Sequence, residues 1–143
     1  MLVRDVMTED VKTIDPESNV KRAAELMREY KVGSLVVVKN DNLVGIITED
    51  DIIEKVVAEN KNPEEVKVRD IMSGKVIVTS PDTEIEEAAR VMVKYNIKKL
   101  PVIFEGVLVG IITASDIVAA EPKLMEEIEG FVLLARKKGK IAG

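Results

Sequence analysis

Gly45-Ile46-Ile47-Thr48-Glu49-Asp50-Asp51 reads as a β-branched run that hands over to a helix start, and it returns as Gly110-Ile111-Ile112-Thr113-Ala114-Ser115-Asp116. The offset is 65 residues and it holds elsewhere without a gap. Arg4-Asp5-Val6-Met7-Thr8 returns as Arg69-Asp70-Ile71-Met72-Ser73, Ala23-Ala24 as Ala88-Ala89, and Tyr30 as Tyr95. Between 4–53 and 69–118, 19 of 50 positions are identical. The chain is a tandem duplication. Two copies are too few for a solenoid, which needs three or more units to cover its faces, so the copies are expected to pack on each other, neither being stable alone.

Each copy predicts the order strand, helix, strand, strand, helix, an α/β class. A short apolar stretch (Val11 to Ile14; Val76 to Val78) opens it. Val20, Ala23, Ala24, Met27 and Tyr30 then keep the spacing of one helical face, as do Ile85, Ala88, Ala89, Met92 and Tyr95. Ser18 can cap the first helix, and Thr83 with Glu86 forms a capping box for its counterpart. Two β-branched runs around Asn40-Asp41-Asn42, and two around Glu105-Gly106, read as hairpins. A closing helix starts near Asp51 or Asp116. Its Ile52, Ile53, Val56 and Val57 make an apolar stripe wider than a small sheet can cover, which favours packing against the other copy or another chain. The expected organisation is repeat 1 over 1–59, a linker over 60–68, repeat 2 over 69–120, and a helical, basic tail over 121–143.

Composition narrows the chemistry. Of 143 residues, 46% are hydrophobic, 33% charged and 3% aromatic, with no His, Cys or Trp. A Ser-His-Asp triad, a Cys-His pair and an ordinary zinc site are excluded. No catalytic constellation is visible, and no enzyme is expected. The net charge of −5 disfavours a generic nucleic-acid binder. No signal peptide is apparent, and apolar runs such as Phe131 to Ala135 fall far short of the roughly 20 residues of a membrane span. A cytoplasmic protein is expected.

The strand-to-helix junction is where chemistry concentrates. Glycine allows close backbone approach. A helix start offers free N–H groups to an anion, and a carboxylate there can accept both hydroxyls of a ribose diol. Thr-x-x-Asp thus suits a nucleotide, one site per copy. The same pattern is also a capping box that needs no ligand, and duplication does not separate the two readings.

The combination resembles the CBS domain, and the pair resembles a Bateman module. The resemblance covers about residues 1–120. It rests on the Arg-Asp-Val-Met and Arg-Asp-Ile-Met openings, the proline turn before the first helix, Lys98-Lys99-Leu100-Pro101-Val102, and Gly-Ile-Ile-Thr-x-x-Asp in both copies. It implies two intertwined tandem βαββα repeats related by a pseudo-twofold axis, a disc-like homodimer, and two clefts between the repeats for adenosine compounds: AMP, ADP or ATP, with S-adenosylmethionine or NAD species as the alternatives. It further implies one site joining Thr113 and Asp116 to Val32, Gly33, Ser34 and Val11, and a second joining Thr48 and Asp51 to Ile97, Lys98, Lys99 and Val76, with Ile47 and Ile112 lining the clefts. Lys98 and Lys99 match positions that are often basic and phosphate-facing in the regulatory gamma subunit of AMP-activated protein kinase. Repeat 1 departs from that pattern with Gly33-Ser34. Glu49 and Asp50 add negative charge that a phosphate tolerates only beside Lys or Mg²⁺, so the sites are expected to differ in affinity. No resident metal is expected.

A rival of another class remains: an oligomerisation or interaction module whose Thr-x-x-Asp elements are caps alone. In the tail, Leu124, Ile128, Phe131 and Ala135 make one helical face. Arg136, Lys137, Lys138 and Lys140 follow as a frayed basic end or a partner contact.

Overall fold

The computed structural model describes residues 1–136; Lys137, Lys138 and Lys140 of the basic tail lie outside them. The chain folds as two compact units, Val11–Val76, and Met1–Asp10 with the chain from Ile77 onward.

In the Val11–Val76 unit the elements are β1 (Thr13–Ile14), α2 (Val20–Tyr30), β2 (Ser34–Lys39), β3 (Asn42–Thr48), α3 (Glu49–Ile52), continued by a π-helical turn (Ile53–Val57), and α4 (Val68–Ile71). The sheet order is β1-β2-β3, with β1 parallel to β2 and β2 antiparallel to β3. The hairpin turns on two residues, Asn40 and Asp41, both at positive φ. That is the handedness a tight hairpin between twisted strands requires. In the other unit α1 (Val3–Val6) joins α5 (Ile85–Tyr95), β4 (Lys99–Phe104), β5 (Val107–Thr113), α6 (Ala114–Ala120), α7 (Leu124–Glu127) and α8 (Phe131–Arg136). The β4–β5 register repeats that of β2–β3, including the bulge, at Val102/Ile103 against Val37/Val38. The expected strand at Val76 to Val78 is only a bridge, Thr79 to Val102, where β1 has its counterpart.

Each unit therefore mixes the two sequence repeats. The opening of repeat 2 lies on the strands of repeat 1, with Ile46 bridged to Ser73, and the opening of repeat 1 bridges Thr8 to Ile111. Gly45 and Gly110 make this possible. A β-carbon on Gly45 would lie 2.6 Å from Met72 Sδ and 2.8 Å from the Ser73 carbonyl; on Gly110 it would lie 2.7 Å from Met7 Sδ and 3.0 Å from the Thr8 carbonyl. The close approach that the signature glycine permits is made by the chain itself.

Neither expected helix cap forms. α5 has Glu84 as its N-cap with no side-chain bond, so Thr83 and Glu86 form no box. The incoming backbone serves instead: Ile85 N–H donates to Met1 O and Val3 N–H to Thr83 O. At α2 the cap is Asn19, not Ser18; its side chain accepts from Arg22 N–H at 2.8 Å. Exposed ion pairs fasten each opening: Arg69 and Lys67 to Glu17, and Arg4 to Asp82.

Two cores result. One gathers Val20, Ala23, Met27, Leu35, Ile47, Val56 and Val68; the other gathers Ile85, Ala89, Met92, Leu100, Ile112, Ile117 and Phe131. The helical stripes differ from expectation at three places. Tyr30 and Tyr95 are exposed, and Ala24 faces solvent while Ala89 is wholly buried. Among the described residues no helix is long and apolar enough to cross a membrane.

Candidate functional site

β3 ends at Thr48 and β5 at Thr113, both in extended conformation, and a helix begins on the next residue. A β-branched residue suits the strand, and its hydroxyl can accept from the third helical N–H. Asp116 N–H donates to Thr113 Oγ1 at 3.0 Å, and Thr113 N–H donates back to Asp116 Oδ2 at 3.0 Å. At the other junction Asp51 N–H donates to Thr48 Oγ1 at 3.1 Å, while Thr48 N–H and hydroxyl donate to Asp51 Oδ2 at 2.9 and 3.1 Å. Both carboxylates are half-buried and rigidly aimed.

The two junctions are not equal. Lys55, one helical turn beyond Asp51, donates from Nζ to Asp51 Oδ1 at 3.1 Å and to Ile71 O at 2.9 Å. The matching residue after Asp116 is Ala120. Asp51 therefore has both oxygens engaged, and Asp116 carries no ion pair among the described residues. The sequence signal for Lys55 was the Asp-to-Lys i, i+4 spacing, which goes unnoticed when only the shared residues of the two copies are compared.

The neighbours differ too. In the unit starting again at Ile77, Lys99 pairs with Thr113, and Ala114 N–H donates to Lys98 O at 2.8 Å; Ile97 directly precedes them. In the Val11–Val76 unit, Ser34 pairs with Thr48 and Glu49 N–H donates to Gly33 O at 2.9 Å, with Val32 before them. The Glu49 carboxylate folds over Gly33. Within each unit the structure thus brings Thr113 and Asp116 beside Lys98 and Lys99, and Thr48 and Asp51 beside Gly33 and Ser34. The expected grouping pairs them the other way and draws each site from both units. Val11 and Val76, both half-buried, stand at the two ends of the Val11–Val76 unit. Ile47 and Ile112 are 0% exposed, their side chains spent in the cores and withheld from any ligand surface.

Charge follows the same division. One junction carries Glu49, Asp50 and Asp51 with Lys55; the other carries Asp116 alone, between Ala114, Ser115 and the Lys98–Lys99 pair. The three consecutive acids do not converge: among the described residues no cluster of acidic side chains could hold a metal ion.

A family model described as the CBS domain matches the chain twice, over residues 3–58 and 68–123. An uncharacterised protein of Methanopyrus kandleri is 44% identical over 129 residues, which is 89% of this chain and 66% of that protein. Among solved structures, an uncharacterised conserved protein from Pyrococcus horikoshii superposes with TM-score 0.74 at 31% identity, covering 99% of this chain and 96% of that one. The CBS domain pair of protein MJ0100, solved in complex with 5′-methylthioadenosine and S-adenosyl-L-methionine, superposes with TM-score 0.74 at 32% identity, covering 84% and 94%.

Proposed function

The chain belongs to the CBS domain family, and from that premise we propose that it is a non-catalytic regulatory module that binds an adenosine nucleotide (AMP, ADP or ATP) at its Thr-x-x-Asp junctions. The observation that carries this reading is the Asp116 carboxylate. One oxygen is fixed by Thr113 N–H at 3.0 Å, which aims the group, and no cation of the described chain neutralises it. A ribose diol supplies the donors such a carboxylate accepts, and Lys98 and Lys99 supply positive charge for a phosphate. Asp51 is already held by Lys55 and flanked by Glu49 and Asp50, so the Asp116 junction is the tighter site for a phosphate-bearing ligand. Mg²⁺, if used, arrives with the phosphates. The adenosine compounds bound by the MJ0100 pair support the ligand class. Occupancy is passed on when the ligand prefers one of two arrangements of the chain, the condition for any population shift.

Titration calorimetry with AMP, ADP, ATP, S-adenosylmethionine and NADH tests this. Asp116→Ala removes the tighter site and Asp51→Ala the weaker; undiminished binding in the double variant refutes the assignment. A second reading, an interaction module without ligand, is favoured by the closed hydrogen bonding of both Thr–Asp caps. It requires that no adenosine compound raise the melting temperature, since any ligand of the native state stabilises it.

A further inference from the structure

Lys55 holds two parts of the Val11–Val76 unit at once. Its Nζ donates to Asp51 Oδ1 at 3.1 Å and to Ile71 O at 2.9 Å. Ile71 is the last residue of α4, where carbonyls lack partners within their own helix, and a lysine there serves as a C-terminal cap. The next two residues are the ones that lie on β3. Met72 Sδ packs on Gly45, and Ser73 exchanges two backbone hydrogen bonds with Ile46. Past Ser73 the chain leaves this unit at Val76. One side chain therefore ties the Asp51 carboxylate to the docked opening of repeat 2.

The other unit has the same parts without the tie. α1 ends at Val6, Met7 and Thr8 lie on Gly110 and Ile111, and α1 packs beside α6. The residue one helical turn beyond Asp116 is Ala120, whose methyl has nothing to donate to the Val6 carbonyl. The helices differ as well. Lys55 lies in the π-helical turn Ile53–Val57, where Ala58 N–H donates to Ile53 O at 2.8 Å, whereas α6 is α-helical over Ala114–Ala120. Such π-turns are rare and are frequent at functional sites.

We propose that Lys55 is a relay: a ligand that takes the Asp51 carboxylate loosens the opening of repeat 2 from β3. This relay presupposes the ligand reading above and says which junction reports its occupancy. Asp51 Oδ2 is already engaged by Thr48, so a ribose diol has to take Oδ1 from Lys55. The ammonium then loses the charge that keeps it in place. A flexible, exposed lysine stem gives its head to water more readily than it holds a single carbonyl. Ile71 O loses its cap, and the segment from α4 to Ser73 opens more often. The coupling is reciprocal: whatever pulls that opening off β3 frees Asp51 and tightens its site. The Asp116 junction has no such tie, so the tighter site binds without reporting and the weaker one reports.

Amide hydrogen exchange on the full chain, followed residue by residue by NMR, tests it. Without ligand, Lys55→Met is expected to speed exchange of the Ser73 and Ile46 amides about fivefold, as the loss of one hydrogen bond implies, and to leave the matching Thr8 and Ile111 amides unchanged. In Asp116→Ala, where only the Asp51 junction can fill, saturating AMP is expected to speed the same two amides relative to those of Thr8 and Ile111. With Lys55→Met added, AMP has no such effect. Unchanged Ser73 and Ile46 amides in Lys55→Met would overturn the relay, as would AMP that binds in calorimetry yet leaves both amides protected. AMP that binds at neither junction would overturn the ligand reading, and the relay with it.

Discussion

Gly45→Ala probes the exchange of openings directly. The new methyl would sit 2.6 Å from Met72 Sδ and 2.8 Å from the Ser73 carbonyl oxygen. Met72 can turn aside, but the Ser73 carbonyl is backbone: it accepts from Ile46 N–H at 3.0 Å, and Ser73 N–H donates back to Ile46 O at 2.9 Å. Relief means moving that carbonyl, which costs about 1–3 kcal/mol as overpacking and weakens two bonds worth about 0.5–1.5 kcal/mol each. The stiffer unfolded chain returns about 0.4–1 kcal/mol. The net loss is about 2 kcal/mol, or roughly 8 °C in Tm for a chain of this size. Gly74→Ala is the control: nothing lies within 4 Å of its added carbon, so it is neutral or slightly stabilising. Gly110→Ala, with its carbonyl contact at 3.0 Å, falls between the two. Reversible urea unfolding followed by circular dichroism reads all three. If Gly45→Ala matched Gly74→Ala within about 0.5 kcal/mol, the usual scatter of surface changes, the opening of repeat 2 would not rest on β3 and the reasoning would fail.

Other consequences follow from single contacts. Lys55→Met removes a pair with Asp51 and a bond to Ile71 O; because Lys55 is 47% exposed, the stability loss is only about 0.5–1 kcal/mol. On the proposed ligand reading it also tightens the Asp51 site in calorimetry while leaving the Asp116 site unchanged. Phe131→Ala, at a wholly buried position, costs about 3–5 kcal/mol in denaturant unfolding, whereas Leu133→Ala, 75% exposed on the same helix, shifts stability by about 0.5 kcal/mol or less. Glu17 is held below its ordinary value of 4.5, chiefly by the hydrogen bond from Lys67 and further by the charge of Arg69. A lowered folded-state value gives stability that is present above 4.5 and lost as the pH falls through the lower one. The stability gap between wild type and Glu17→Gln, measured by unfolding at stepped pH, should therefore be present at neutrality and close below 4.5; a gap that persisted in acid would refute the ion-pair account.

What a single copy encodes locally is legible in its residues. Asn40-Asp41 and Glu105-Gly106 turn the hairpins where turn chemistry puts them, and Thr48 and Thr113 cap their helices with the aspartates three residues on. The exchange is implied by the family resemblance but is not legible from contact chemistry alone, for a physical reason. Met7 and Met72 are the same residue in the same motif, and so are Gly45 and Gly110, so the contact chemistry is identical whether an opening lies on its own strands or on those of the other copy. Strand alternation was also degenerate: in an Ile-Ile pair it does not say which isoleucine faces inward, and Ile47 and Ile112 proved to be core. Ala24 and Ala89 share a residue type and a helical position, and only a segment more than forty residues away, α8, separates their fates. A difference between the two proposed sites, by contrast, has to come from where the copies differ, because a fold built from equivalent halves treats shared residues alike. Those differences gather at the junctions: Gly33-Ser34 against Lys98-Lys99, Glu49-Asp50 against Ala114-Ser115, Lys55 against Ala120. Each removes negative charge from the Asp116 side, adds positive charge there, or leaves its carboxylate uncovered. On the proposed ligand reading, these substitutions favour a phosphate-bearing diol at the Asp116 junction over the Asp51 junction.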